Sequence, residues 1–147
     1  DEGYLTWSGN QRINYDVVYN KLQELAQKYD IQQIRYDRLH AQQMMRWLED
    51  EGHTCVEMAQ TFVKLSPPAK EFEKLIAEGN IKHPNHPILN WCADNVTIQY
   101  GPNEAIRPEK ASKTNRVDGI VASIFGLAGA MTHDQKEYTI DDLVSIF

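Results

Sequence analysis

The feature that most constrains this chain is an alternation: short β-leaning apolar runs are separated by stretches with helical periodicity. Ile31–Tyr36 and Thr54–Met58 have the length and residue types of strands, and Asp37 closes the first of them. Ahead of them, Asn14 or Asp16 can cap a helix running to about Tyr29, with Val18, Leu22, Leu25, Ala26 and Tyr29 on one face. Between them, Leu39–Glu51 turns Ala41, Met44, Met45 and Leu48 inward and stops at Gly52. A further β-leaning run, Gly3–Ser8, opens the series and is punctuated by Gly9-Asn10. Strands alternating with helices predict an α/β fold, a sheet with helices packed on its faces.

The second half continues the pattern. Ser66-Pro67-Pro68 reads as a cap followed by first-turn prolines and predicts a helix from there to Gly79. After a loop holding His83 and His86 come a short segment around Leu89–Trp91 and a hairpin. Its expected strands are Val96–Tyr100 and Ala105–Arg107, joined by Gly101-Pro102-Asn103. The last strong element is a helix from about Arg116 to Met131, with Val117, Ile120, Val121, Ile124, Leu127, Ala128 and Met131 apolar.

Composition narrows the function classes. With 147 residues, 41% of them hydrophobic and 10% aromatic, the chain suits one domain able to bury roughly 70% of its unfolded surface. That content is too high for a disordered segment. The longest apolar stretch, Gly119–Met131, is broken by Ser123 and is shorter than the ~20 residues a spanning helix needs. The chain opens on Asp1-Glu2 rather than on a basic, then apolar, leader. Cys55 and Cys92 form no CxxC pattern, so two inert thiols in a reducing compartment are expected. The net charge of −6 excludes bulk, sequence-blind nucleic-acid binding but leaves room for a local basic site. Arg107–Arg116 is such a place, with four basic residues against Glu109, whereas the segment after Met131 is acidic.

Two acids stand where chemistry collects. Asp37 ends a strand just before a helix, the edge at which open α/β sheets bind ligands. It reads either as the cap of that helix or as a hard oxygen ligand for Mg²⁺ or Mn²⁺. Asp118 lies in the first turn of the last helix, where an acid is favoured by the helix dipole alone. Gly119 beside it costs about 1 kcal/mol relative to Ala inside a helix, which makes sense if a metal-bound phosphate or a strand approaches the backbone. Lys110, Lys113 and Arg116 precede this pair, as a solvated loop or as a phosphate-positioning strip. His83 and His86 have the spacing of a zinc pair but no second pair nearby, and no Gly-rich phosphate loop, nucleophile elbow or kinase signature occurs.

The string Val117-Asp118-Gly119-Ile120-Val121-Ala122, preceded by Lys110-Ala111-Ser112-Lys113-Thr114-Asn115-Arg116, resembles the C-terminal nuclease motif of the large terminase subunit of tailed phages. Gly3-Tyr4-Leu5-Thr6 with Gly9-Asn10 and Tyr15-Asp16 resembles that family's entry into its first nuclease-domain helix. Ile34-Arg35-Tyr36-Asp37 resembles its second acidic strand. Leu65-Ser66-Pro67-Pro68, Glu73, Leu75, Ile76, Gly79, His83, Pro87, Leu89, Trp91 and Asn95 follow the family's order too. The resemblance runs from about Gly3 to Met131.

It implies an RNase H-like fold, a mixed sheet flanked by helices plus a β-hairpin, over residues 1–131, with an acidic tail at 132–147. It also implies a two-metal carboxylate site, loaded with Mg²⁺ or Mn²⁺, that cuts double-stranded DNA during genome packaging. Asp37 would match the acid ending the family's fourth strand, Asp118 the acid on its final helix, and Lys110, Lys113 and Arg116 would contact DNA. The small terminase subunit and the portal are the implied partners, in the cytoplasm of a host bacterium. The family's first active-site aspartate and its N-terminal ATPase have no counterpart here, so a fragment of uncertain activity is expected. An open strand edge in such a fragment favours self-association. The alternatives are a non-catalytic phage interaction module of the same shape, with the tail as a docking peptide, and a resolvase- or integrase-like relative.

Overall fold

The computed structural model describes residues 3–8, 12–39 and 41–133. The Gly9-Asn10 punctuation and most of the acidic tail lie outside them. The order is α1 (Tyr15–Lys28), β1 (Ile34–Tyr36), α2 (Gln42–Asp50), β2 (Cys55–Glu57), α3 (Phe62–Ala77), α4 (Pro87–Asp94), β3 (Val96–Tyr100), β4 (Ile106–Lys110) and α5 (Asp118–Thr132). This is the expected α/β class with its hairpin. Among the described residues the strands form two separate pairs, β1 with β2 in parallel and β3 with β4 antiparallel.

Helix α1 starts where Asn14 accepts the Asp16 N–H through its side chain at 2.9 Å. Its Val18 and Leu22 pack with Met44, Met45 and Leu48 of α2 and with Ile34, Tyr36 and Cys55 of the parallel pair. Tyr29, expected on that face, ends the helix and is exposed. A larger cluster joins Leu65 and Ala69 of α3, Cys92 of α4, Ile106 of β4 and Ile120, Ile124, Phe125 and Ala128 of α5, with Met58 beneath. Burial of each such side chain stabilises the fold by about 1.5–3 kcal/mol.

Two local readings change. Gly3–Ser8 is irregular and mostly exposed, not a strand. Its Tyr, Leu, Thr and Trp favour strands only when a neighbouring strand receives them, whereas Leu5 and Trp7 lie open and Tyr4 meets the His86 ring edge-on. Helix α3 begins four residues before the Ser-Pro-Pro signal, at Phe62. Its cap is Thr61, whose hydroxyl accepts the Lys64 N–H. Pro67 and Pro68 therefore sit inside the helix, at the cost of two backbone donors. Ser66 serves another purpose: its buried hydroxyl accepts the Ile106 N–H at 3.0 Å and ties α3 to β4. The end of α3 is as expected. Gly79 adopts φ +70, its N–H meets the Ile76 carbonyl and the Asn80 N–H meets that of Leu75, a Schellman closure.

The hairpin is longer than expected, because β4 continues past Pro108 to Lys110. A two-stranded ladder has a free outer edge on each strand, and proline is tolerated where its missing N–H faces that edge. The extra residues carry Lys110 toward α5. The loop after it is pinned to the end of α4: the Ala111 N–H donates to the Asn95 carbonyl at 2.9 Å, and Asn115 Nδ2 donates to Asn95 Oδ1 at 2.8 Å.

Candidate active site

Asp37 leaves the carboxyl end of β1. Its Oδ1 accepts the Leu39 N–H at 3.2 Å and its Oδ2 accepts Gln60 Nε2 at 2.6 Å. It does not cap α2, which begins only at Gln42 behind Ala41 and has no side-chain cap; the carboxylate closes its own short turn instead. Asp118 is the first residue of α5 and is exposed, and its carboxylate has no hydrogen bond or ion pair with the described residues.

These two acids, distant in sequence, line one open cleft of about 450 Å³ together with Gln60 and Lys110. One wall is α5, through Val121, Ala122, Phe125 and Gly126, and the other is β1 with the residue before it, through Gln33, Arg35 and Tyr36. A second groove of about 520 Å³ shares Gln60, Lys110, Val117 and Val121 with the first and adds Arg107, Ser112 and Lys113. Arg116 lines neither; its guanidinium turns back onto the carbonyls of Thr114 and Asn115. The structure therefore brings Asp37, Asp118 and Lys110 together, sets Lys113 next door and directs Arg116 elsewhere.

Gly119 meets a close neighbour within the fold. A Cβ there would stand 3.2 Å from Leu89 Cδ1 and 3.4 Å from Cys92 Sγ. The neighbour at this position is helix α4 rather than a strand. The two histidines His83 and His86 serve as turn acceptors, their Nδ1 atoms receiving the N–H groups of Asn85 and Ile88.

The charges of the cleft are not spent on one another. Ion pairs among the described residues join Lys21 and Lys28 to Glu24, Arg38 to Glu57 and Lys74 to Glu71, and none involves Asp37, Asp118 or Lys110. Beside the cleft, burial raises the Tyr36 hydroxyl above the ordinary tyrosine range, helped by the Glu57 and Glu49 carboxylates. Carboxylates free of ion pairs suit a hard divalent cation, and Mg²⁺ is commonly held by one or two carboxylates with the rest of its shell water or phosphate. Asp37 and Asp118 are donors of that chemical type on one cleft. Among the described residues no cluster of three or more His, Cys, Asp or Glu side chains is placed to hold a metal, so they do not complete a two-ion cage.

Sequence reasoning found both acids and the lysines but passed over Gln60, which carries no signal of its own. Arg107 was visible only as a member of the basic run.

The architecture is that of an RNase H-like nuclease domain. The chain belongs to the terminase large subunit, endonuclease domain family, whose family model matches residues 1–134. It is 28% identical to protein YmfN of Escherichia coli (strain K12) over 99% of its own length and 32% of that protein's. It is 26% identical to the terminase large subunit of Enterobacteria phage HK97, over 88% of this chain and 26% of that one. The crystal structure of the HK97 bacteriophage large terminase superposes with a TM-score of 0.78 at 25% identity, covering 87% of this chain and 27% of the other. The chain thus spans about a quarter to a third of the length of the relatives it matches. Among the described residues no helix is long and apolar enough to cross a membrane.

Proposed function

We propose that the cleft is the metal-dependent DNA-cutting centre of a phage packaging terminase, or the larger part of one. The observation that carries this reading is that Asp37 and Asp118, neither of them in an ion pair with the described residues, line one open cleft beside Lys110. Membership of the terminase nuclease family supports it.

Asp37 and Asp118 would hold Mg²⁺ or Mn²⁺ at the mouth of the cleft. When bound, such an ion supplies Lewis acidity at a phosphodiester and a water of lowered pKa. Lys110 lines the same space and sets a positive charge where a backbone phosphate would enter, and Lys113 extends that charge along the adjoining groove. Such contacts orient double-stranded DNA without reading its sequence. Arg116 reaches DNA only by leaving its two loop carbonyls. The two-ion form of the reaction needs a further acid beside this pair. The small terminase subunit and the portal are the partners of this role, and a host bacterial cytoplasm its setting. Among the described residues the outer edge of β1 has no partner strand, and it is the place for self-association, since Ile34 and Tyr36 direct their ladder bonds to β2 and leave the Arg35 peptide groups on the other side.

The test is conversion of supercoiled plasmid in Mn²⁺. Cleavage by the wild-type chain and its loss in Asp118→Asn support the assignment; undiminished cleavage by Asp118→Asn overturns it.

A further inference from the structure

Gln60 occupies an unusual place. It is exposed, yet its segment is fixed on both sides. Two residues earlier, Met58 is buried in the larger core and its N–H donates to the Tyr36 carbonyl at 2.9 Å, directly beside Asp37. One residue later, Thr61 caps α3. The Gln60 side chain donates to Asp37 Oδ2 at 2.6 Å, and the backbone carbonyl of Gln60 accepts Arg107 Nη1 at 3.1 Å. Arg107 is fixed in turn: Nε donates to Gln99 Oε1 at 2.5 Å, and the guanidinium lies 4.7 Å from the centroid of the Phe62 ring.

We infer that Gln60 is a positioning residue for the cation, holding Asp37 in its ligating orientation, and that Arg107 holds Gln60. This deepens the nuclease reading and rests on it. The chemistry favours an amide at this point. With the Leu39 N–H on one oxygen and Gln60 on the other, the carboxylate plane is fixed, while each oxygen keeps a lone pair for the ion. A lysine or arginine there would fix it equally well but would cancel the charge the ion needs. The positive charge of Arg107 is directed instead at a carbonyl, an amide oxygen and a ring. Removing a hydrogen-bond partner of a ligating side chain typically costs 10–100-fold in metal affinity.

The experiment is a Mn²⁺ titration of the whole chain, followed by the electron paramagnetic resonance of the free ion, on wild type, Asp37→Asn, Gln60→Leu and Gln60→Ala. Urea midpoints are measured on the same samples. Both Gln60 variants are expected to bind Mn²⁺ about 10–100-fold more weakly, with midpoints close to wild type because the side chain is exposed. A merely structural role would move the midpoint and not the affinity. Binding lost in Asp37→Asn but unchanged in both Gln60 variants overturns the positioning role and leaves the nuclease reading standing. A wild-type chain that binds no Mn²⁺ overturns the nuclease reading, and the positioning role with it.

Discussion

Arg35 reaches from β1 to the last turn of α5, where its Nη2 donates to the Thr132 hydroxyl at 2.6 Å. The same side chain donates from Nε to Gln33 Oε1 and lies against the Cα of Gly129, where an added Cβ would meet Arg35 Nε at 3.4 Å. This contact joins β1 to the last turn of α5, the two walls of the cleft. Arg35→Ala is expected to lower stability by about 1–3 kcal/mol, the range for losing a hydrogen bond to a charged group. A urea midpoint equal to that of wild type would show that the walls are held together by other means.

Two glycines of α5 are expected to answer differently to alanine. Gly126 is exposed with nothing within 4 Å of an added Cβ, so Gly126→Ala gains the helix propensity that glycine forfeits, up to about 1 kcal/mol. At Gly119 the same gain is opposed by Leu89 Cδ1 at 3.2 Å, with Cys92 Sγ in contact at 3.4 Å, and the Leu89 side chain must give by a few tenths of an ångström to admit the methyl group. Thermal unfolding should show a higher Tm for Gly126→Ala and none for Gly119→Ala. An equal rise in both variants would mean that Leu89 yields without cost.

The contrast between Leu65 and Val63 tests where the core lies. Leu65 is 1% exposed and Val63 is 81% exposed, two residues apart on α3. Leu65→Ala is expected to cost about 2–5 kcal/mol, and Val63→Ala to stay within about 0.5 kcal/mol of wild type. Equilibrium denaturation measures both, and comparable losses would contradict the placement of α3.

Alkaline pH should weaken the parallel pair first. Burial, chiefly, raises both the Tyr36 hydroxyl and the Cys55 thiol, and the Glu49 carboxylate adds to each. A group whose folded pKa lies above its unfolded value binds its proton more tightly when folded, so its contribution is complete below the unfolded pKa. That contribution is lost as pH rises through the folded value, which places the loss above the ordinary cysteine and tyrosine ranges. Stability should therefore be level near neutrality and fall in strongly alkaline solution, less so in Tyr36→Phe. Alkylation of Cys55 by iodoacetamide should follow the same shift, with its rate rising at a pH above that of a free thiol. An alkylation midpoint at or below the free-thiol value would contradict the burial.

Much of the fold was legible because its signals are local. The Asn14 cap, the α2 face of Met44, Met45 and Leu48, and the glycine closure of α3 each depend on a few neighbouring residues. The misread elements are those decided at a distance. Ser66 looks like a cap, but its hydroxyl is claimed by Ile106 on a strand forty residues later. The run Gly3–Ser8 has strand-forming residues but no strand beside it. Gly119 signalled a close approach, and only packing reveals that the neighbour is α4. In the site, Asp37 and Asp118 announce themselves by position, one at a strand end and one at a helix start. Gln60 does not, because its importance comes wholly from two partners that the chain brings to it from Asp37 and Arg107.

The decisive observation on the cleft itself is whether Asp37 and Asp118 act on the same ion. Mn²⁺ affinity measured calorimetrically for wild type, Asp37→Asn, Asp118→Asn and the remote control Asp16→Asn decides this. The shared cleft predicts one site in the wild type, weakened at least about 10-fold by either Asp37→Asn or Asp118→Asn, since a carboxylate that touches the ion counts for no less than its hydrogen-bond partners, and unaltered by Asp16→Asn. Affinity unchanged in Asp118→Asn, or no binding by the wild-type chain, would contradict it.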